Sequence, residues 1–248
     1  MKINKKTIQI IILILIILGV GYYFFNEFYS DKKNSDNNYY VDNNYKIEQA
    51  SLEEIFEFKI FNENLNEEQI NKYKEKFDNL VKQVKTFEKD KISLSVLNSL
   101  GQIKNILHDF DGARKVWEYA CIINPKNSIS FFNLGTLYSE NLKDNEKAEI
   151  NFMKALQNSA GEKANEQYYR GVVNFYTYFY TEKKQQIEKI LLQGLETEQY
   201  KNNQDLLALL ATYYGNNNQK QKAIEYWGKV LEIDPNNKAV INEIEKLK

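Results

Sequence analysis

Apolar residues recur with helical spacing along most of the chain, and one stretch of this pattern occurs twice. Residues 113–125 read ARKVWEYACIINP, and residues 223–235 read AIEYWGKVLEIDP. The chain has two tryptophans and two prolines, and all four lie at equivalent places in these two stretches. Apolar side chains three or four residues apart line one face of a helix, and a proline beyond the last of them marks its end. The pattern therefore predicts an internal repeat built from helices.

Extending the alignment in both directions predicts four helix–turn–helix units. The small residues Gly101 and Ala113 fall where the two helices of the first unit must cross closely. The larger Leu97 and Trp117 fall where the space between hairpins must be filled. The second unit needs one extra residue between its helices, and the third, degenerate unit needs two. The predicted units are 94–127, 128–165, 166–203 and 204–237, followed by a capping helix at 238–248.

This pattern resembles the tetratricopeptide repeat (TPR), a helix–turn–helix unit of about 34 residues. The resemblance covers residues 94–248 and implies an all-α solenoid of about four repeats, in which each hairpin buries its exposed face against the next. It also implies a module that binds proteins or peptides in a groove lined by the first helix of each unit.

Defined positions of the first helices face the groove in this family. At these positions the chain has mostly polar, weakly charged side chains: Asn98, Gln102, Phe132, Thr136, Arg170, Asn174, Tyr178 and Thr212. Arg170 and Asn174 are similar to the basic residue and the asparagine that begin the family's carboxylate clamp for C-terminal peptide tails. The next unit has Ala208 and Thr212 where the clamp would continue, which argues against this specialised ligand.

An aromatic run at residues 168–180 has two interpretations. Tyr169 and Tyr176 fall at packing positions of the repeat, so core packing accounts for most of the run. Tyr178 falls at a groove position, and an exposed tyrosine there is a candidate anchor for a partner.

The region before the repeats, residues 45–93, predicts a helical hairpin that is either a degenerate repeat or an N-terminal cap. Residues 51–54, SLEE, fit a capping box at the start of its first helix. A second helix is predicted to start near Asn66, because acidic residues follow and apolar residues keep helical spacing as far as Phe87.

The N-terminus combines a basic start with a long apolar run. Residues 1–9 contain three lysines, and residues 8–25 are uncharged and rich in Ile and Leu. As a helix this run would span ~27 Å, which suits a thin bilayer. The small residues at 19–21 would suit a signal-peptide cut, but four aromatic residues extend the apolar run beyond them. This favours an uncleaved transmembrane anchor over a cleaved, secreted form.

The polar residues 26–44 predict a flexible tether between this anchor and the helical region. Three lysines precede the apolar run, whereas Lys32 and Lys33 follow it among acidic residues. The positive-inside bias then places residues 1–9 in the cytoplasm and the repeats outside it. The alternative is the reversed topology, with the repeats facing the cytoplasm.

Composition narrows the chemistry that the chain can perform. The net charge is -1 and the pI is about 6.1, so no strong field would draw the protein to nucleic acid. The single cysteine, Cys121, is predicted to be buried, and the single histidine, His108, to be a solvent-exposed turn residue. The sequence shows no catalytic nucleophile motif, phosphate loop or metal motif. We therefore expect no enzymatic activity, no cofactor, no metal and no small-molecule substrate.

These features together predict a single-pass inner-membrane protein that holds partner proteins or peptides in a repeat groove. The architecture resembles bacterial membrane-anchored repeat proteins, which implies a role in envelope assembly or secretion. The alternative is a cytoplasm-facing adaptor, or the regulatory subunit of an enzyme complex whose catalytic chain is another protein. Fold by itself does not decide between these roles.

Overall fold

The computed structural model describes residues 53–86, 92–159, 166–197 and 201–248. The predicted transmembrane run 8–25 and the predicted tether 26–44 lie outside the described residues, as do Ser51, Leu52 and Phe87 of the helices predicted before the repeats. Across the described ranges, no helix is both long enough and apolar enough to cross a bilayer.

The described secondary structure is helical, with no strand in those ranges. A π-helical turn at Tyr138–Leu142 and a 3₁₀ turn at Thr181–Lys183 interrupt a series of α-helices. These are α1 (Glu67–Thr86), α2 (Leu94–Ile106), α3 (Phe110–Ile123), α4 (Ser128–Leu137), α5 (Asn145–Asn158), α6 (Glu166–Tyr178), α7 (Gln186–Glu196), α8 (Gln204–Asn216), α9 (Lys220–Ile233) and α10 (Lys238–Leu247).

The helices pack as a stack of hairpins. Each helix contacts the next one along the chain, so α2–α3, α4–α5, α6–α7 and α8–α9 form four successive pairs. The first helices of these pairs also contact one another, α2 with α4, α4 with α6 and α6 with α8. Side-by-side first helices are the arrangement of a solenoid, in which each hairpin is stabilised by its neighbours. The predicted all-helical solenoid is confirmed for the described part of the chain.

Two glycines allow the helices of a hairpin to approach closely. A Cβ atom on Gly101 in α2 would collide with the indole of Trp117 in α3. A Cβ atom on Gly135 in α4 would lie 2.8 Å from the ring of Phe152 in α5. Such a distance is well inside van der Waals contact, so a side chain there would push the helices apart. The prediction that small residues mark helix crossings is confirmed at both glycines.

The extra residues of the second and third units are absorbed as local changes of helix type. The single extra residue of the second unit falls where the π-helical turn Tyr138–Leu142 widens the end of α4. The amide of Asp144 then donates to the carbonyl of Tyr138 (2.9 Å), and Lys143 adopts a left-handed conformation with φ 57°. In the third unit, the 3₁₀ turn at Thr181–Lys183 occupies the position of the two extra residues. The hairpins keep their packing because these changes stay within the turns.

Three tyrosines near the ends of first helices tie each hairpin to the one before it. Their hydroxyl groups donate to glutamates of the preceding second helix: Tyr138 to Glu118 (3.0 Å), Tyr176 to Glu149 (2.7 Å) and Tyr214 to Glu188 (2.8 Å). Lys183 and Lys222 each add an ion pair to the glutamate of their junction. Burial raises the pKa of Tyr176 and of Tyr214, and the adjacent glutamate raises each further. These phenols therefore stay protonated as donors.

The region before α1 differs from the predicted hairpin. Residues 53–55 form one helical turn, and residues 58–62 have no regular secondary structure. We call residues 53–62 the N-terminal strap. Its Phe61 and Asn62 amides donate to the carbonyl of Leu107, at 2.8 and 3.1 Å. The strap thus bonds to a carbonyl at the end of α2, where the last helical carbonyls have no partner within the helix.

A buried lysine holds the strap in place. Lys104 in α2 is 1% exposed, and its Nζ donates to Asp109 (2.6 Å) and to the carbonyl of Glu57 in the strap (2.9 Å). Burial lowers the pKa of Lys104, and the nearby Asp109 carboxylate opposes this shift. Asp109 also accepts from the Gly112 amide as the N-cap of α3, so one ion pair joins the strap to two helices.

The helices α1 and α10, near the two ends of the described chain, begin where the sequence predicts. The predicted helix near Asn66 is confirmed as α1, and the Asn66 side chain accepts from the Gln69 amide at 2.9 Å. The predicted capping helix is confirmed as α10, which buries Val240 against α9. Ile241, the next residue of α10, is 37% exposed.

The two tryptophans are equivalent in sequence, but the structure predicts different energetic roles. Trp117 is 3% exposed, whereas Trp227 is half-buried, because α10 covers α9 incompletely. We expect Trp117→Ala to lower the free energy of unfolding by about 3–5 kcal/mol, and Trp227→Ala to lower it by less. Denaturant unfolding of both variants measures the difference, and a larger loss at Trp227 would refute this account of the stack.

Candidate protein-interaction face

The first helices α2, α4, α6 and α8 form one continuous surface, which we call the first-helix face. Side-chain contacts join neighbouring members of the series. These are Ser130 to Asn98 (2.7 Å) between α4 and α2, Ser128 to Tyr168 (3.1 Å) between α4 and α6, and Arg170 to Asp205 (3.1 Å) between α6 and α8. The contacts hold the helices at fixed distances, so side chains on different helices present a defined pattern to a partner.

The structure leaves four of the predicted groove residues accessible as polar contacts. Gln102, Asn174 and Thr212 are exposed, and Thr136 is half-buried. Thr212 donates to the carbonyl of Ala208 within its own helix (2.8 Å), and its oxygen can still accept a hydrogen bond. Amide and hydroxyl groups both donate and accept, so these side chains suit the peptide groups of an extended chain.

Tyr178 is the most exposed large hydrophobic residue in the described part of the chain, at 72%. It lies four residues after Asn174 and eight after Arg170, so the three side chains form one stripe along α6. Other aromatic residues of the run are buried, including Tyr168 and Tyr176, and Tyr169 packs partly buried against the core. The assignment of most of the run to core packing is thus confirmed, and Tyr178 stays exposed.

Two predicted groove residues act mainly in packing. Asn98 is half-buried; its side-chain oxygen accepts from Ser130 and its carbonyl accepts from the Trp117 indole at 3.3 Å. Phe132 is also half-buried, and its ring lies against the rings of Phe152 and Tyr168, with centroids 5.4 and 5.1 Å apart. The position that these residues share in their units points toward the next hairpin, so both have packing partners within the chain, and their contact with a partner protein stays a prediction.

Arg170 is paired across the face rather than free. Its guanidinium contacts Asp205 of α8, and the two side chains are 54% and 56% exposed. An exposed ion pair of this kind contributes only about 0–1 kcal/mol, so a ligand carboxylate could displace Asp205 at little cost. The pair leaves the centre of the face without net charge.

Sequence reasoning missed one apolar residue of the face. Ile129 at the start of α4 is 49% exposed and lies seven residues before Thr136, on the same stripe of the helix. Its position in the sequence could have indicated this exposure. Ile129 is the second residue of its unit, where the other units have the polar residues Ser95, Gln167 and Asp205. Ile129 and Tyr178 are the large apolar side chains that α4 and α6 leave exposed.

The single histidine and the single cysteine are the remaining residues that could have a chemical role. His108 is exposed, with φ 60°, at the turn between α2 and α3, and its ring stacks on Phe110. Cys121 is buried, and burial raises the pKa of its thiol far above the usual range, so it packs as a small apolar side chain. The positions predicted for both residues are confirmed. The described ranges contain no cluster of His, Cys, Asp and Glu that could hold a metal ion.

Comparison with known proteins identifies two of the units. Residues 129–160 and 204–237 match the model of the tetratricopeptide repeat family. They contain the helices of the pairs α4–α5 and α8–α9, so the predicted resemblance is confirmed for these two segments. None of the curated proteins matches the chain. Among solved structures, the chain is similar to YrrB, described as a TPR protein with an unusual peptide-binding site; the TM-score is 0.45, with 12% identity over 68% of this chain and 81% of that one.

Proposed function

We propose that the chain is a protein-interaction scaffold that binds an extended segment of a partner protein on the first-helix face. The observation that carries the proposal is the stripe of α6, where Arg170, Asn174 and Tyr178 are all exposed on one side of a helix at the centre of the stack. The tetratricopeptide repeats supply the supporting context, because stacked helical repeats present extended binding surfaces.

The chemistry of the face favours a partner recognised through its backbone and one apolar side chain. Gln102, Thr136, Asn174 and Thr212 offer hydrogen bonds without charge. Tyr178 offers a large ring that a partner can bury, and buried aromatic residues carry much of the energy of protein interfaces. Neutral hydrogen bonds and apolar burial depend little on ionic strength, so salt should affect this recognition weakly.

A site-specific photocrosslinker tests this use of the face. We expect a benzophenone amino acid at Tyr178 of the full chain in its native cells to form discrete adducts, whose partners mass spectrometry then identifies. The matched control is the same amino acid at Ile150, which is 37% exposed on the second helix α5. Adducts formed equally from both positions, or from neither, would rule out the first-helix face as the binding surface.

The proposal extends to a membrane tether. The apolar run 8–25, followed by the polar residues 26–44, supports an anchored protein whose repeats stand away from the bilayer. The lysines before the run support an extracytoplasmic location of the repeats at the inner membrane. Such a protein would hold its partners near the membrane during envelope assembly or secretion.

Protease access to the repeats tests this topology. External protease is expected to digest an epitope at the C-terminus in intact spheroplasts, because the repeats would lie outside the cytoplasm. A cytoplasmic control protein shows that the spheroplasts remain sealed. Protection of the epitope until the membrane is lysed would instead favour the cytoplasmic adaptor.

A further inference from the structure

A groove of about 380 Å³ lies between α1 and α2, at the N-terminal end of the stack. The helix α1 contributes Tyr73, Lys76, Asn79 and Leu80, and α2 contributes Ser99, Gln102, Ile103 and Ile106. Half of these side chains are largely apolar. Gln102 also belongs to the first-helix face, so the groove opens onto that face.

The equivalent groove of a later hairpin is filled by a helix of the same chain. Between α5 and α6, the ring of Phe132 from α4 inserts against Phe152 of α5 and Tyr168 of α6. A Cβ atom on Gly171 in α6 would collide with the Phe132 ring, which shows how deeply the ring is seated. The first helix of one hairpin thus occupies the groove formed by its own second helix and the next first helix.

The groove between α1 and α2 lies at the same position of its repeat unit, but no described side chain inserts into it as Phe132 does between α5 and α6. Ser99 is the sixth residue of its unit, as Gly171 is in the third unit. The corresponding residues Asn133, Gly171 and Leu209 are half-buried, whereas Ser99 is exposed. The slot that Phe132 of α4 fills beside Gly171 is therefore open beside Ser99, at the N-terminal end of the described stack.

The N-terminal strap does not fill this slot. Its contacts include Phe77 (ring centroids 5.2 Å from Phe58), Lys104 and Leu107, which do not line the groove. Asn62 reaches the lining residue Ile106 at its backbone, where the Asn62 side-chain amide donates to the Ile106 carbonyl (2.8 Å). The opposite end of the stack is different, because α10 packs against α9 and buries Val240 there. Among the described residues, a helix of the chain covers α9 at one end of the stack, whereas the groove between α1 and α2 stays open at the other.

We propose that this groove binds an amphipathic helix supplied by a partner protein. The helix would place a large apolar residue opposite Ser99, as Phe132 lies opposite Gly171, and an acidic residue near the exposed Lys76. A partner is favoured over the chain's own residues 26–44, because these are polar and lack the helical spacing of apolar residues that such a helix needs. The site is distinct from the centre of the first-helix face.

A peptide copied from α4 is the probe for this site. Residues 126–142 include the helix that fills the equivalent groove, and a side-chain lactam on the side opposite Phe132 would keep the peptide helical in water. Fluorescence anisotropy measures its binding to the purified full chain in detergent. We expect saturable binding, weakened about tenfold or more when the peptide carries Phe132→Ala.

Two variants of the full chain locate the binding. Ser99→Arg places a large charged side chain in the groove at an exposed position, and we expect it to abolish peptide binding while circular dichroism shows an intact fold. Thr212→Arg makes a similar change on the first-helix face at α8 and is expected to leave peptide binding unchanged. The contrast also separates this groove from the face proposed above.

Four outcomes would overturn the proposal. The first is no binding of the probe, and the second is binding that Ser99→Arg does not affect. The third is concentration-dependent dimerisation that Ser99→Arg abolishes, because the occupant would then be a second copy of the chain. The fourth is a marked gain in probe affinity when residues 26–44 are deleted, because the chain's own segment would then occupy the groove.

Discussion

The close crossing of two helices over a glycine is the contact on which the stack depends. In the first hairpin the indole of Trp117 covers Gly101, and in the second the ring of Phe152 lies on Gly135. A ring seated on a glycine brings the backbones close and leaves one arrangement of the two helices without voids. Each hairpin therefore presents its outer residues in a defined direction, and the next hairpin packs on them.

The two helices of each hairpin have different roles, one in packing and the other in recognition. The second helices provide the rings that cover the glycines of their own hairpins, and the glutamates, such as Glu149, that bind the following hairpin. The first helices are held from behind, so Asn174 and Tyr178 remain available on their outer side. The same logic accounts for the groove beside α1, where no first helix of a hairpin precedes α2 in the described part of the chain. Stability in such a repeat protein comes from neighbours, and an end without a neighbour is a natural place for a partner.

Periodicity along the chain predicts the helices because burial of one helix face imposes it directly. It also predicts the burial of Cys121 and Tyr176, which lie on such faces. It does not predict the packing roles of Asn98 and Phe132, since Ser130 and Gly171, which they contact, belong to the next hairpin. The strap escapes prediction for a similar reason: its bonds go to Lys104 and Leu107, which lie more than forty positions later in the chain. Spacing reveals which face is buried but not what covers it.

The most direct test of the crossing compares one substitution at two glycines. Gly135→Ala adds a Cβ atom 2.8 Å from the Phe152 ring, whereas Gly228→Ala adds one that has no atom within 4 Å beyond its own stretch of helix backbone. Both glycines lie inside helices, where alanine is intrinsically favoured by about 0.5–1 kcal/mol. Chemical denaturation should therefore show Gly228→Ala to be stabilised and Gly135→Ala to be destabilised. Stabilisation of both variants by the same amount would show that the crossing does not hold the hairpin together.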